Sequence, residues 1–409
     1  MQTTLPGRWA RISAVNLFTL ALLGVLLRYK TVFPLPAANY KYLLNAHSHF
    51  AFTGWVTSAL YTSLLFMLAQ SGFRLSWLYR LLFWLNQLSA YGMLVAFTCQ
   101  GYGPVSIVFS ALSVLVGYAF AILYWLDLGR TDWPSVVRAS LRLALAFLVL
   151  SSAGPFLLMY SMSHAIGGMA FYYNAIYLFL HFQYNGWFSF GVIGVFFWFA
   201  WRRDWALPLR ASGWFVGLMG AACVPAYCLS VLWTDPAFWV RAVAAIAALL
   251  QLAAFVVLVQ LLRRRLRKSK AFRLSEMTAR LWWVAVIAFG IKICLQALSA
   301  IPFFGTLAFG FRPVIIAYLH LVLLGFISLF VVAFLHETGM LALSLPGAKA
   351  TLAFFAVGIV VNEVVLLVQA LLGFAGRGWM NGPYFLFGAA IWLAIGAGGM
   401  AVRRASDIT

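Results

Sequence analysis

Long apolar runs follow one another from end to end of this chain, and nothing else in the sequence constrains its fold as strongly. A run of about 18 or more apolar residues is long enough to cross a bilayer as a helix. In hydrocarbon only helices and closed barrels satisfy every backbone hydrogen bond internally. About twelve such runs occupy residues 11–27, 42–68, 76–99, 104–126, 135–160, 175–201, 212–231, 238–262, 281–300, 313–335, 350–374 and 383–402. Little chain is left for a soluble domain: of 409 residues, 65% are hydrophobic and 9% charged, and the mean hydropathy is +0.96. The expectation is an all-α integral membrane protein, one polytopic domain over 1–409 with the lipid bilayer as its partner. The first run is long, has no small-residue cleavage site and leads straight into further spans, so it reads as a retained helix.

A net charge of +20 would suit a nucleic-acid binder if the basic residues formed one patch. They collect instead at alternate span ends: Arg8 and Arg11; Arg74 and Arg80; Arg130, Arg138 and Arg142; Arg202, Arg203 and Arg210; the run at 263–268; Arg403 and Arg404. The opposite ends carry only Arg28, Lys30, Lys41, Arg241, Arg312 and Arg377. Cytoplasmic loops hold the Lys/Arg excess, so both termini are expected inside, which agrees with an even span count, and no nucleic-acid partner is expected. The 263–268 run is read as a topology anchor, with anionic lipid contact as the alternative. The four cysteines, Cys99, Cys223, Cys228 and Cys294, fall in or at the ends of spans and form no C-x-x-C or C-x-x-C-H pattern. That argues against a disulfide framework, a zinc ribbon and covalently attached heme.

Three spans share a small motif: a histidine, four residues, a glycine, then an aromatic. The copies run from His49 to Gly54 and Trp55, from His181 to Gly186 and Trp187, and from His320 to Gly325 and Phe326. They stand about four spans apart, which divides the chain into approximate four-helix repeats at 1–130, 131–275 and 276–409. Three of only six histidines are placed this way. Intramembrane imidazole is costly unless it meets a partner, and it is the commonest metal ligand. All three fall early in even-numbered spans, hence at a similar depth in the outer half of the membrane. His47 precedes His49 by two residues, roughly 200° around a helix, so the two serve neighbouring sites rather than one metal. The glycines admit either the face of a macrocycle or a closely packed helix.

His164 lies past span 5 on the side that reaches this zone, as a further ligand or a solvated loop residue. His336 ends span 10 beside Glu337 on the other side. Lys292 and Glu363 are intramembrane charges, expected to form an ion pair or a proton path. Tyr184 and Asn185, with Tyr173, Tyr177 and Gln183, make span 6 polar around His181, and Tyr318 precedes His320 by two residues.

These residues resemble the heme-copper oxidase superfamily, its subunit I and its nitric-oxide-reductase and NnrS-like relatives. The resemblance implies twelve helices in three pseudo-symmetric four-helix arcs, both ends inside, with metal ligands on helices 2, 6 and 10. The segment His47-Ser48-His49 is similar to the family's His-x-His pair, here on span 2 rather than span 10, where Tyr318 stands in place of a first histidine. The departures are plain. No His-His pair lies near span 7, so the three-His copper site is incomplete, and Asn185 stands where a tyrosine is expected. What the resemblance implies is a b-type heme held by His49 and His320, with His47 and His181, and with His164, offered to a second heme or copper.

The leading expectation is a heme-binding oxidase-like protein of the bacterial inner membrane. It would transfer electrons from a quinol or cytochrome donor, or bind or reduce a small gas such as NO or O2. A histidine-based metal-ion or proton-coupled transporter is a second class. A non-catalytic NO-response or assembly protein of the same fold is a third.

Overall fold

The computed structural model describes residues 5–164, 166–205, 207–268, 274–341 and 347–402; the topology markers Arg403 and Arg404 lie outside the described residues. All regular structure among the described residues is helical. Long segments stand where the apolar runs predict them: α1 Leu5–Val32, α2 Tyr40–Gln70, α3 Trp77–Gln100, α4 Pro104–Gly129, α5 Ser135–His164, α6 residues 168–202, α7 Leu209–Cys223, α8 Phe238–Lys268, α9 Glu276–Ser299, α10 Arg312–Glu337, α11 Ala348–Phe374 and α12 Gly382–Val402. By length and composition 10 of these can cross a membrane, which makes this a multi-pass membrane protein. The other two are α6, diluted by its polar centre, and α7, which is short. Pro225 lacks the N–H needed to carry α7 onward, and the chain turns there into the short helix Tyr227–Ser230.

Local chemistry sets the ends. Asn39 caps α2 by accepting from the Lys41 and Tyr42 amides, and Ser76 caps α3 through the Leu78 amide. Gly101 closes α3 with φ +62°, and a Cβ there would stand 2.5 Å from the Tyr42 ring. The outward faces are apolar: Trp84, Val108, Ile122 and Leu249 are all exposed, an arrangement suited to lipid rather than water.

The described chain divides into two compact units. Unit 1 combines residues 1–119, 274–285 and 316–409; unit 2 combines 120–273 and 286–315. α4, α9 and α10 each contribute to both units. In unit 1, α1 packs on α12 and α2, α11 on α12, and α2 on α3. The apolar stretch of α2 is 89% buried, which makes α2 the central helix of unit 1. In unit 2, α5 packs on α6 and α7 on α8.

Three spans loosen into π-helix, a feature the apolar pattern does not foretell. The segments are Phe50–Thr57 in α2, Phe182–Phe188 in α6 and Leu321–Ser328 in α10. Each starts at the residue after a repeated histidine. A π-helical turn disturbs the backbone ladder and is common at functional sites, and in an apolar interior its freed carbonyls need donors. Those donors are present. Asn16 donates from Nδ2 to the Gly54 carbonyl at 2.5 Å, and Asn86 to the Thr53 carbonyl at 3.1 Å. A serine at the end of each segment donates five residues back: Ser58 to Thr53 at 3.2 Å, Ser189 to Tyr184 at 2.6 Å and Ser328 to Leu323 at 2.7 Å.

Candidate functional site

In unit 1, His47 and His49 point in opposite directions, as their spacing requires. His47 leans on α1, where its Cε1 would lie 3.6 Å from a Cβ at Gly24. Its Nδ1 is buried and has no hydrogen-bond partner among the described residues. One turn further along α1, Arg28 comes within electrostatic reach of His47, His320 and Glu363. His47 and His320 are also within electrostatic reach of each other.

His320 Nδ1 lies 2.8 Å from the Ile316 carbonyl. A carbonyl only accepts, so Nδ1 carries the proton and Nε2 keeps its electron pair. This is the tautomer in which a metal-ligating histidine is held by a backbone carbonyl. The surrounding turn is open: no residue from Arg312 to His320 is buried, whereas Gly325–Leu335 of the same span is a continuous buried stretch.

His49 faces away from this group. Its ring stacks on Phe97 with centroids 4.3 Å apart and an interplanar angle of 15°, and its Nε2 is 3.0 Å from the Tyr102 hydroxyl. His49 thus packs on α3, while His47 is the histidine of α2 within electrostatic reach of His320. The cause is the helical register: the face of α2 that meets α1 carries 47, and the face that meets α3 carries 49. Tyr318 is half-buried on α10, and Glu363 accepts from Asn362 at 3.1 Å.

In unit 2, His181 is fully buried and its imidazole is committed at both ends. Nε2 donates to the Cys223 carbonyl at 2.8 Å, and Nδ1 accepts from the Asn185 amide at 3.1 Å. The Tyr227 and Phe182 rings meet it edge-on. Asn185 thus fixes the tautomer of His181, while Tyr184 is buried and its carbonyl is taken by Ser189. His164 ends α5 exposed, with Nδ1 3.0 Å from the Tyr160 carbonyl. Lys292 is fully buried in unit 2, and its Nζ has no hydrogen-bond partner among the described residues; Glu363 belongs to unit 1.

The glycines do ordinary work. A Cβ on Gly54 would meet the Phe50 ring at 2.8 Å, and one on Gly186 would meet Phe147 Cβ of α5 at 2.4 Å. Both serve close packing. Among the described residues, no three of the His, Cys, Asp and Glu side chains come together as a metal-holding group. The sequence reading missed Ser58, Ser189 and Ser328. A signal for them existed: a hydroxyl eight residues after the histidine in the second and third copies, and nine after it in the first.

No family model and no curated protein sequence matches this chain. Its architecture does match. A heme-copper terminal oxidase, determined as a dimer by cryo-electron microscopy, superposes with a TM-score of 0.71 over 98% of this chain and 85% of that one, at 14% identity. The fold is that of a heme-copper oxidase. At this identity the likeness is one of fold. The heme-copper-oxidase-like scaffold is present, and which of its sites this chain uses is a question for the side chains above.

Proposed function

We propose that this is a heme-binding, oxidase-like membrane protein that carries electrons through a b-type heme held in unit 1 by His47 and His320. One observation carries the proposal: a buried, unpartnered ring nitrogen on His47 lies within electrostatic reach of a histidine in the ligand tautomer. Burying a polar atom without a partner costs about 1–3 kcal/mol, and a metal bond would remove that cost. The turn around His320 is half-buried rather than sealed. When bound, heme supplies one-electron chemistry whose potential follows the axial ligands and nearby charge. The chain's own part is to fix two imidazoles. Ile316 holds the His320 proton on Nδ1, α1 backs His47, and Arg28 offers a cation to a heme carboxylate. His181 is assigned a structural role, because both its nitrogens are already bonded. Membership of a heme-copper pair that reduces oxygen is accordingly not part of the proposal. The positive-inside pattern supports cytoplasmic termini; a bacterial inner-membrane location and a quinol or cytochrome donor belong to the heme reading itself.

The test is a reduced-minus-oxidised visible spectrum of the purified protein with a pyridine hemochrome assay. Sharp b-type bands lost in His47→Ala and His320→Ala, and kept in His49→Ala, are expected. A colourless protein from heme-supplied cells would overturn the reading. A carbon-monoxide shift of the reduced bands would replace electron transfer by binding of a gas such as NO or O2.

A further inference from the structure

One end of unit 1 holds an open, polar cavity of about 570 Å³, within the ~300–1,000 Å³ range of small-molecule sites. The end of α1, the loop that follows it, the first turn of α2 and the last turn of α3 border it. Lys30, Ala37, Asn39, Tyr42, Thr98 and Cys99 are in its wall. The loop is shaped by its own sequence. Pro34 and Pro36 lack the N–H that would carry α1 onward, and Lys30 Nζ donates to the Leu35 carbonyl at 2.6 Å. An ammonium has three donors, so Lys30 has others to turn toward the cavity. The α2 amides of Lys41 and Tyr42 are already held by the Asn39 side chain. Lys30 is therefore the group that recognises charge here.

That charge is one-sided. The sequence has no Asp or Glu before Asp127. The described carboxylates of unit 1 are engaged elsewhere: Glu276 with Arg280, Glu337 with the Ser275 amide and Glu363 with Asn362. Arg28 is the other cation at this end of α1, but it stands roughly 200° around the helix from Lys30 and lies within reach of Glu363. A polar cavity with a cation and no carboxylate in its wall suits an anion.

A second observation narrows the anion. Trp84, Leu88, Tyr91 and Val95 are all exposed and follow one another along α3 in steps of four, three and four. They form one apolar stripe, on the face that continues to Thr98 and Cys99. From Trp84 to Val95 the stripe rises about 16 Å, close to the ~15 Å depth of hydrocarbon in one leaflet. A cationic cavity at the head of an apolar stripe one leaflet long has the form of a phospholipid site.

We propose that this cavity seats the phosphodiester headgroup of a phospholipid against Lys30, with an acyl chain laid along Trp84, Leu88, Tyr91 and Val95. The bound lipid ties the loop after α1 to the end of α3. The site shares no residue with the heme reading and stands or falls apart from it.

Native mass spectrometry tests it, on full-length protein stripped of lipid in detergent and titrated with phosphatidylglycerol, glycerol phosphate or inorganic phosphate. Saturable binding of one phosphatidylglycerol is expected, and that lipid should slow labelling of Cys99 by a water-soluble maleimide. Neither phosphate compound should do so at the same concentration. Lys30→Gln should weaken the lipid about fivefold or more, the worth of one basic residue at a membrane surface. Ala37→Trp fills the cavity and keeps the charge; it should weaken the lipid too, and serves if the lysine variant does not fold. Absence of saturable lipid binding in the wild type would overturn the proposal, as would equal binding in wild type and both variants. Protection of Cys99 by inorganic phosphate as strong as that by the lipid would overturn it in favour of a free anion.

Discussion

In unit 2 the imidazole of His181 gives Nε2 to the Cys223 carbonyl and receives the Asn185 amide at Nδ1, while in unit 1 the imidazole of His320 gives only Nδ1, to Ile316. The two histidines open the same motif, at the same point before a π-helical segment. One is saturated by the protein and sealed from any solvent; the other keeps an electron pair in a turn where nothing is buried. A motif therefore does not assign a ligand. The residue four positions on decides much of the difference: Asn185 reaches back to close His181, whereas Leu324 after His320 has nothing to give.

The sharpest way to break this contrast is to remove each histidine and measure heme. His47→Ala and His320→Ala are expected to abolish the hemochrome signal, and His181→Ala to leave it within error of the wild type. Heme loss in His181→Ala with retention in His47→Ala would reverse the assignment of the two units. Stability should run the other way. His181→Ala strands the Cys223 carbonyl and the Asn185 amide in a dry interior and opens a cavity, at a cost of about 3 kcal/mol. His320→Ala in the heme-free protein should cost about 1 kcal/mol or less, since its turn is only half-buried. Thermal denaturation in detergent of both heme-free variants reads the difference.

Packing around the two copies sharpens the comparison further. Gly186→Ala sets a Cβ 2.4 Å from Phe147 Cβ, an atom that cannot move without α5. Gly54→Ala meets only the ring of Phe50, at 2.8 Å. The expected costs are about 2–3 kcal/mol for the first and about 1–2 for the second. Equal melting temperatures in the two variants would show that the glycines are not holding helices together.

Much of this was legible beforehand and some was not, for identifiable reasons. Apolar runs report helices directly, because hydrocarbon leaves the backbone no other solution, so the order of the spans follows from hydropathy. Which face of α2 meets which neighbour does not: His49 stacks on Phe97 of α3, while His47 leans on Gly24 of α1. Lys292 and Glu363 suggest each other by rarity alone, and sequence carries no sign that they belong to different units. Saturation of His181 needed two groups from distant positions, one of them a main-chain carbonyl with no sequence signature. The π-helical segments were invisible to a search for a period of 3.6, although the hydroxyls that stabilise them were in plain view.

Those hydroxyls give the smallest and most local difference. Ser189 donates only to the Tyr184 carbonyl, at 2.6 Å. Ser328 donates to Leu323 at 2.7 Å and also accepts from Trp55 Nε1 at 2.7 Å, tying the π-helical segment below His320 to the one below His49. A net hydrogen bond is worth about 0.5–1.5 kcal/mol, and one between membrane helices about 0.6 on average, so Ser189→Ala should cost about 0.5–1 kcal/mol and Ser328→Ala, which loses both kinds, about twice it. The Ser328 change alone also frees a buried indole N–H and loosens the segment that carries His320. In the heme-loaded protein Ser328→Ala should therefore shift the reduced absorption band or the midpoint potential, and Ser189→Ala should move neither. If both variants lose the same stability and neither changes the spectrum, the hydroxyls only repair the backbone of a π-helix. The two units would then differ at their histidines and nowhere else along the motif.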